Sequence, residues 1–335
     1  MENYLALLDY NIISTTHQSS FGQSIMLKHK TNNKNYMCKV ISRNQMNQDD
    51  IDKFYRFLHK VKEFSAQYIV PFDTIIEEEG SIFLIRPFID GISLKTYIER
   101  KLTQNPNVLY VFWKIINRVY HSLHQQGLFP NYIRPSNVFL GEFNKITITD
   151  LYLPPSDPCA CFKQQNAFNY AFLSPEFFTK PESMSTASDI WSLGMLLFYM
   201  LTGEMPWGNI SNILRMIPCI VEFNQELLKN HKGIPPSILQ ILQSALRIDP
   251  AKRQTIEYFL STFPKEDRIK ILNLSIQKEI SVPKKMNLTK LGVINLPTKR
   301  KSILLGNFKG FKSCPTPPTT FKERTTPQKL ESDDI

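Results

Sequence analysis

The loop Leu128–Gly141 reads LFPNYIRPSNVFLG, and its two halves offer different chemistry. The second half carries Arg134 and Asn137, a cation and an amide oxygen three residues apart. The first half, Pro-Asn-Tyr, holds nothing that takes a proton at neutral pH. No Asp or Glu lies between Leu128 and Gly141, and a phenol with pKa of about 10 is a donor there, not a base. A site built on this loop can hold and orient groups but has no general base of its own. Elsewhere, Lys39 sits in an apolar run and Asp150 follows another, while Glu176, Asp189 and Arg253 lie further on. Cys159 and Cys161 form a C-x-C pair, but no second pair follows, so the spacing argues against a zinc site.

These residues need elements to position them. Ile12–Ser14, Gln23–Lys28 and Tyr36–Ile41 are short apolar runs with partial alternation, read as strands. The polar stretch Thr31–Asn35 makes the last two a hairpin. Residues 48–65 carry helix spacing at Ile51, Phe54, Leu58 and Val61 behind an acidic first turn, Asp49-Asp50. Residues 71–86 supply two more strands around Glu79-Gly80, completing a five-strand sheet with one helix. After Gly91 the character changes. Residues 107–126 read as a buried amphipathic helix through Leu109, Phe112, Ile116, Val119 and Leu123. Short strands are expected at Val138–Leu140 and Ile146–Ile148, then a loop with three prolines, then helices from about 174 to 264. A β-rich first part and a helical second part predict two lobes with a ligand-binding cleft between them.

The chain has 335 residues and is 42% hydrophobic and 12% aromatic, enough to bury a core. Five cysteines without repeated spacing make no disulfide framework and point to a reducing compartment. The start, MENYLALLDY, has no basic segment and is not read as a signal peptide. Ile190–Leu201 is too short and mixed to span a bilayer and reads as a buried helix. The formal charge is +10, and +7 of it lies from Lys278 onward, where 12 Lys and Arg face 5 Asp and Glu. That stretch, with six prolines, is expected to be disordered. The expected division is a domain over 8–270, with lobes at about 8–88 and 92–270, and a basic tail over 278–335.

The order of signals resembles the eukaryotic protein-kinase family over roughly residues 8–265. It runs from Phe21-Gly22 through Met37-Cys38-Lys39, Ile133-Arg134-Pro135-Ser136-Asn137 and Asp150-Leu151-Tyr152. Ser174-Pro175-Glu176, Asp189-Ile190-Trp191-Ser192-Leu193-Gly194 and Arg253 complete it. The pattern around Gly203-Glu204-Met205-Pro206-Trp207 is similar to that of the calcium/calmodulin-type group. The resemblance implies an α+β bilobal fold with an ATP and Mg²⁺ site in the cleft. Gly22 would close the nucleotide loop, Lys39 would reach the phosphates, and the hinge at Pro87 and Ile89 would hold the base. Asn137 and Asp150 would ligate metal, since a hard cation wants oxygen. Glu176 and Arg253 would form a buried structural pair, and Asp189 would pin the loop backbone.

The family pattern is broken at several points. Tyr132 falls where the family has its catalytic aspartate, and Arg134 falls on the loop lysine. Of the Gly-rich loop only Gly22 remains, among His17-Gln18-Ser19-Ser20-Phe21-Gly22. Phe54 or Phe57 stands where the helix should offer Lys39 a glutamate. Arg86 falls on the gatekeeper position, and Tyr152 replaces the glycine of the metal-binding turn. An Arg86 head in the pocket needs an acidic partner, for which Asp52, Glu63 and Asp150 are candidates. These losses imply a pseudokinase, a binding, scaffolding or allosteric module with weak or absent ATP and Mg²⁺ binding. The alternative is an active Ser/Thr kinase with an atypical loop. The compartment implied is cytoplasmic or nuclear, and the partner is a protein the sequence does not name. The tail's charge would also suit a nucleic acid or an acidic membrane, the weaker reading. Thr316-Pro317 and Thr326-Pro327 are steps that a proline-directed kinase can read.

Overall fold

The computed structural model describes residues 9–15, 23–63, 68–78, 80–100, 107–141, 146–151, 167–231 and 234–263. Tyr152, residues 17–22 including Gly22, and the tail over 278–335 lie outside these. All described residues fall in the first of two units, Met1–Ser281 and Val282–Ile335.

The first lobe is a five-stranded antiparallel sheet in the order β1-β2-β3-β5-β4. Its strands are β1 (Tyr10–Thr15), β2 (Gln23–His29), β3 (Asn35–Ser42), β4 (Thr74–Glu78) and β5 (Ser81–Pro87). Alternation along β3 and β5 assigns the two faces. Cys38, Val40, Phe83 and Ile85 join Tyr10, Ile25 and Leu27 in a small core on one side. The opposite face carries Ile41, Ile82 and Leu84, which pack with α1 (Gln48–Glu63) and the main core. Helix α1 buries Ile51, Phe54, Phe57, Leu58 and Val61. Asp49 and Asp50 in its first turn and Lys60 and Lys62 in its last suit its dipole.

Past the hinge, β6 (Ile92–Ser93) pairs with β7 (Val138–Leu140), which pairs with β8 (Ile146–Ile148). Strand β6 and the short α2 (Leu94–Glu99), capped by Ser93, are too brief to leave a periodic trace in the sequence. The helix expected over 107–126 forms as α3 (Asn107–Lys114) and α4 (His121–Gln125), joined by a π-helical segment, Ile115–Tyr120. Its buried residues come in pairs four apart: Val111 and Phe112, Ile115 and Ile116, Val119 and Tyr120, then Leu123. A strict four-residue repeat drifts ~40° per step on an α-helix. The wider π turn takes up that drift and keeps all the pairs on the core.

The rest is helical: α5 (Pro175–Thr179), α6 (Thr186–Thr202), α7 (Ile213–Val221), α8 (Glu226–Lys229), α9 (Pro236–Ala245) and α10 (Ile256–Thr262). Helix α6 is the spine of this lobe, buried from Ser188 through Met200. A helix apolar on all sides belongs inside a core. Ser185 and Ser188 form its capping box, and Gly203, at φ +76°, ends it in the left-handed conformation. The expected α+β, two-lobed architecture is the one observed, with a β-sheet lobe followed by a helical lobe.

Candidate functional site in the cleft

Strand pairing sets the geometry of the cleft. Lys39 lies opposite Leu84, and Met37 opposite Arg86, so Lys39 and Arg86 share the sheet face that meets the second lobe. On the other side the β7–β8 hairpin pairs Val138 with Ile148. The Thr149 amide then donates to the Asn137 carbonyl at 2.9 Å, which brings Asn137 and Asp150 together at the open end of the hairpin. A parallel bridge between Ile69 and Ile148 ties β8 to the segment after α1. Asp150 takes φ +50°, a conformation that aspartate tolerates better than most side chains.

Of its three acidic candidates, Arg86 meets Asp150. Its Nε donates to Oδ1 at 3.0 Å and its Nη2 to Oδ2 at 3.3 Å, while Nη1 donates to the Pro87 carbonyl at 3.3 Å. The guanidinium thus lies two-pronged across both carboxylate oxygens and also takes the hinge carbonyl. The Arg86 side chain is buried and that of Asp150 largely so, at 6% and 12% exposure. Burial alone would raise the Asp150 pKa. The charges of Arg86, Lys39 and Arg134 more than reverse that and hold it well below the usual carboxylate range.

Asn137 is engaged at both ends of its amide. Its Nδ2 donates to the Asp150 backbone carbonyl at 3.1 Å, and its Oδ1 accepts from Arg134 Nε at 3.1 Å. Arg134 also stacks over the Tyr132 ring at 5.5 Å. Tyr132 is 2% exposed, and its hydroxyl donates to the Asn169 carbonyl at 3.1 Å. Lys39 is 6% exposed and faces Asp150, Arg86 and Arg134. Burial first, then the two guanidinium charges against the opposing carboxylate, lower its pKa to about 8. Phe54 and Phe57 are both buried in α1, and no carboxylate among the described residues pairs with Lys39. Ile89 is half-buried in the hinge.

The set can orient anions and hold backbone in place. It offers no proton acceptor at Tyr132. The two side chains that the resemblance assigns to Mg²⁺ spend their oxygens on guanidinium groups, so a divalent cation does not fit the donor set as it stands. No cluster of three His, Cys, Asp or Glu suited to a metal occurs among the described residues.

Away from the cleft, Glu176 and Arg253 form a bidentate pair, with Nη1–Oε1 and Nη2–Oε2 both 2.7 Å. Ser188 donates to Glu176 at 2.6 Å, and Arg253 also reaches the carbonyls of Ala187, Arg247 and Ile248. Asp189 Oδ2 sits 2.9 Å from His124 Nε2, beside the backbone amide of Asn131. Burial raises the Asp189 pKa to about 6, partly offset by His124 and Asn131. His124 and Ser188 were not singled out from the sequence. His124 is the next step, four residues on, after Tyr120, and that spacing was its only trace.

Residues 10–263 match the protein kinase domain family, and the chain belongs to that family. Among curated relatives, it is 22% identical over 271 residues to maternal embryonic leucine zipper kinase of Xenopus tropicalis. That match covers 78% of this chain and 40% of the relative. It is 25% identical over 221 residues to the probable serine/threonine-protein kinase PknB of Lactococcus lactis subsp. lactis (strain IL1403), covering 65% and 35%. The chain therefore spans about 40% or less of the length of these relatives. The crystal structure of Rad53 1-466 in complex with AMP-PNP shares the fold at TM-score 0.59 and 20% identity, covering 77% of this chain and 65% of that one. No helix of the described residues is long and apolar enough to cross a membrane.

Proposed function

We propose that this chain is a pseudokinase, a kinase fold that acts as a binding, scaffolding or allosteric module for a protein partner in the cytoplasm or nucleus. It binds magnesium-ATP weakly or not at all and transfers no phosphate at a useful rate. The observation that carries this reading is the hydrogen bond from Tyr132 to the Asn169 carbonyl. The residue in the position of the proton acceptor is a buried donor, already committed to the backbone. The arginines on Asp150 and Asn137 support the same reading from the metal side.

The alternative, slow transfer without a base, draws on the presence of Lys39, Asn137 and Asp150. General-base help is worth about 10²–10⁴-fold, and positioning supplies much of the rest. The hydrogen bonds that occupy Asp150 and Asn137 weigh against it, because these are the groups that would position the metal. The test is phosphoryl transfer from ATP with Mg²⁺ to generic protein substrates and to the chain itself. The expected rate is under about a thousandth of the usual 1–100 s⁻¹. Turnover within that range would end this reading.

A further inference from the structure

Among the described residues, Lys39 is an ammonium with no hydrogen-bond or ion-pair partner. It is 6% exposed. The one carboxylate it faces, Asp150, has both oxygens committed to Arg86. A buried charge left this way favours an anion that can reach it. Lys39 and Arg86 together outnumber Asp150 by one positive charge, and Arg134 stands on Asn137 at the rim of the same group. A divalent cation entering here would meet guanidinium groups on both oxygens it needs.

We propose that the cleft takes a phosphate-bearing ligand, a nucleoside di- or triphosphate, in its metal-free form. Lys39 is the anchoring cation, and Arg86 stands where Mg²⁺ would otherwise be held. The proposal rests on the reading of the chain as a kinase fold without transfer activity and names the ligand state that such a cleft accepts. Metal-free ATP carries more negative charge than its magnesium complex, so it is the better match to a cleft that already supplies its own cations. Arg86 also donates to the Pro87 carbonyl, so its guanidinium is held at the hinge as well as on Asp150.

The experiment is calorimetric titration of the full chain with ATP and with tripolyphosphate, each in excess chelator and again in saturating Mg²⁺. Tripolyphosphate separates recognition of the phosphates from recognition of the nucleoside. The wild type should bind both at least as tightly in chelator as in Mg²⁺. Lys39→Met should weaken metal-free binding about 10- to 100-fold, the range for losing a hydrogen bond to a charged group. Arg86→Thr frees Asp150, so Mg²⁺ should now strengthen ATP binding while metal-free binding falls. Melting curves confirm that each variant is folded, and Arg86→Gln serves if Arg86→Thr is not. Binding by the wild type that requires Mg²⁺, binding by neither phosphate in either condition, or a Lys39→Met chain that binds like the parent would each overturn the proposal. A chain that binds only with Mg²⁺ yet transfers no phosphate would sink this inference and leave the pseudokinase reading standing.

Discussion

The hydroxyl of Tyr132 serves as a donor to the Asn169 carbonyl, so its removal should register in stability and not in turnover. Tyr132→Phe keeps the ring under Arg134 and deletes one buried hydrogen bond. The expected cost is about 1–2 kcal/mol, including the carbonyl left unsatisfied, with phosphoryl transfer unchanged from the parent's background. Thermal melts and a transfer assay on the same preparation check both halves. A variant that melts like the parent but loses transfer would make the hydroxyl a reacting group. Arg86 is legible in the sequence only as a cation in need of a partner. Its partner lies 64 residues away, and no local pattern reports a contact of that separation. Choosing among Asp52, Glu63 and Asp150 took the strand register and the β7–β8 hairpin together. Lys39 was visible as a strand lysine, and the phenylalanines of α1 already showed that its glutamate was missing; that Asp150 is committed to Arg86 was not visible, because it depends on the same long-range contact.

At the scale of elements, the pair Glu176–Arg253 fastens α5 to the turn before α10 and to the start of α6 through Ser188 and Ala187. Glu176→Ala or Arg253→Ala should each cost about 3–5 kcal/mol, since the remaining charge is left buried and alone. The double variant should cost less than the sum, and a chemical-denaturation cycle measures it. A melting point within a degree of the parent for either single variant would mean that the pair does not hold the elements together. Asp189 in α6 makes a pH-dependent contribution. Its folded-state pKa is raised to about 6 from 3.8, so between these values the folded chain binds more protons than the unfolded one. Its share of stability is therefore complete below about pH 4 and is lost as pH rises through about 6. Relative to Asp189→Asn, the wild type should gain on the order of 2 kcal/mol on going from pH 7 to pH 4. Parallel stability profiles for the two chains would contradict this. Strands β2 and β3 were readable from partial alternation and the polar turn between them, and β5 from an apolar run behind Glu79-Gly80. The π segment in the helix from Asn107 was not, since a sequence read at 3.6 residues per turn hides a repeat of four. Strand β6 has two residues and leaves no pattern to read.

At the scale of the molecule, Arg86 belongs to the sheet lobe and Asp150 to the helical lobe, so one bidentate contact spans the cleft. The tail over 278–335 lies outside the described residues and carries a charge of +7. Each basic contact near an anionic surface is worth about 1 kcal/mol, and two phosphates at Thr316 and Thr326 would add roughly −3 to −4 charges. The full chain should bind anionic vesicles more tightly than a chain ending at Gln277, with a salt dependence that the shorter chain lacks. Equal binding by both would remove the tail from the account.

The central claim is that Asp150 serves the fold and not a metal-dependent transfer. The most direct measurement compares phosphoryl transfer by the wild type and by Asp150→Ala at saturating ATP and Mg²⁺, on folded protein and with a detection limit far below ordinary kinase rates. The same background rate is expected for both chains, with the variant distinguished only by its lower melting temperature. A wild-type rate well above that of Asp150→Ala would show that Arg86 yields Asp150 to a metal and that the chain is an active kinase.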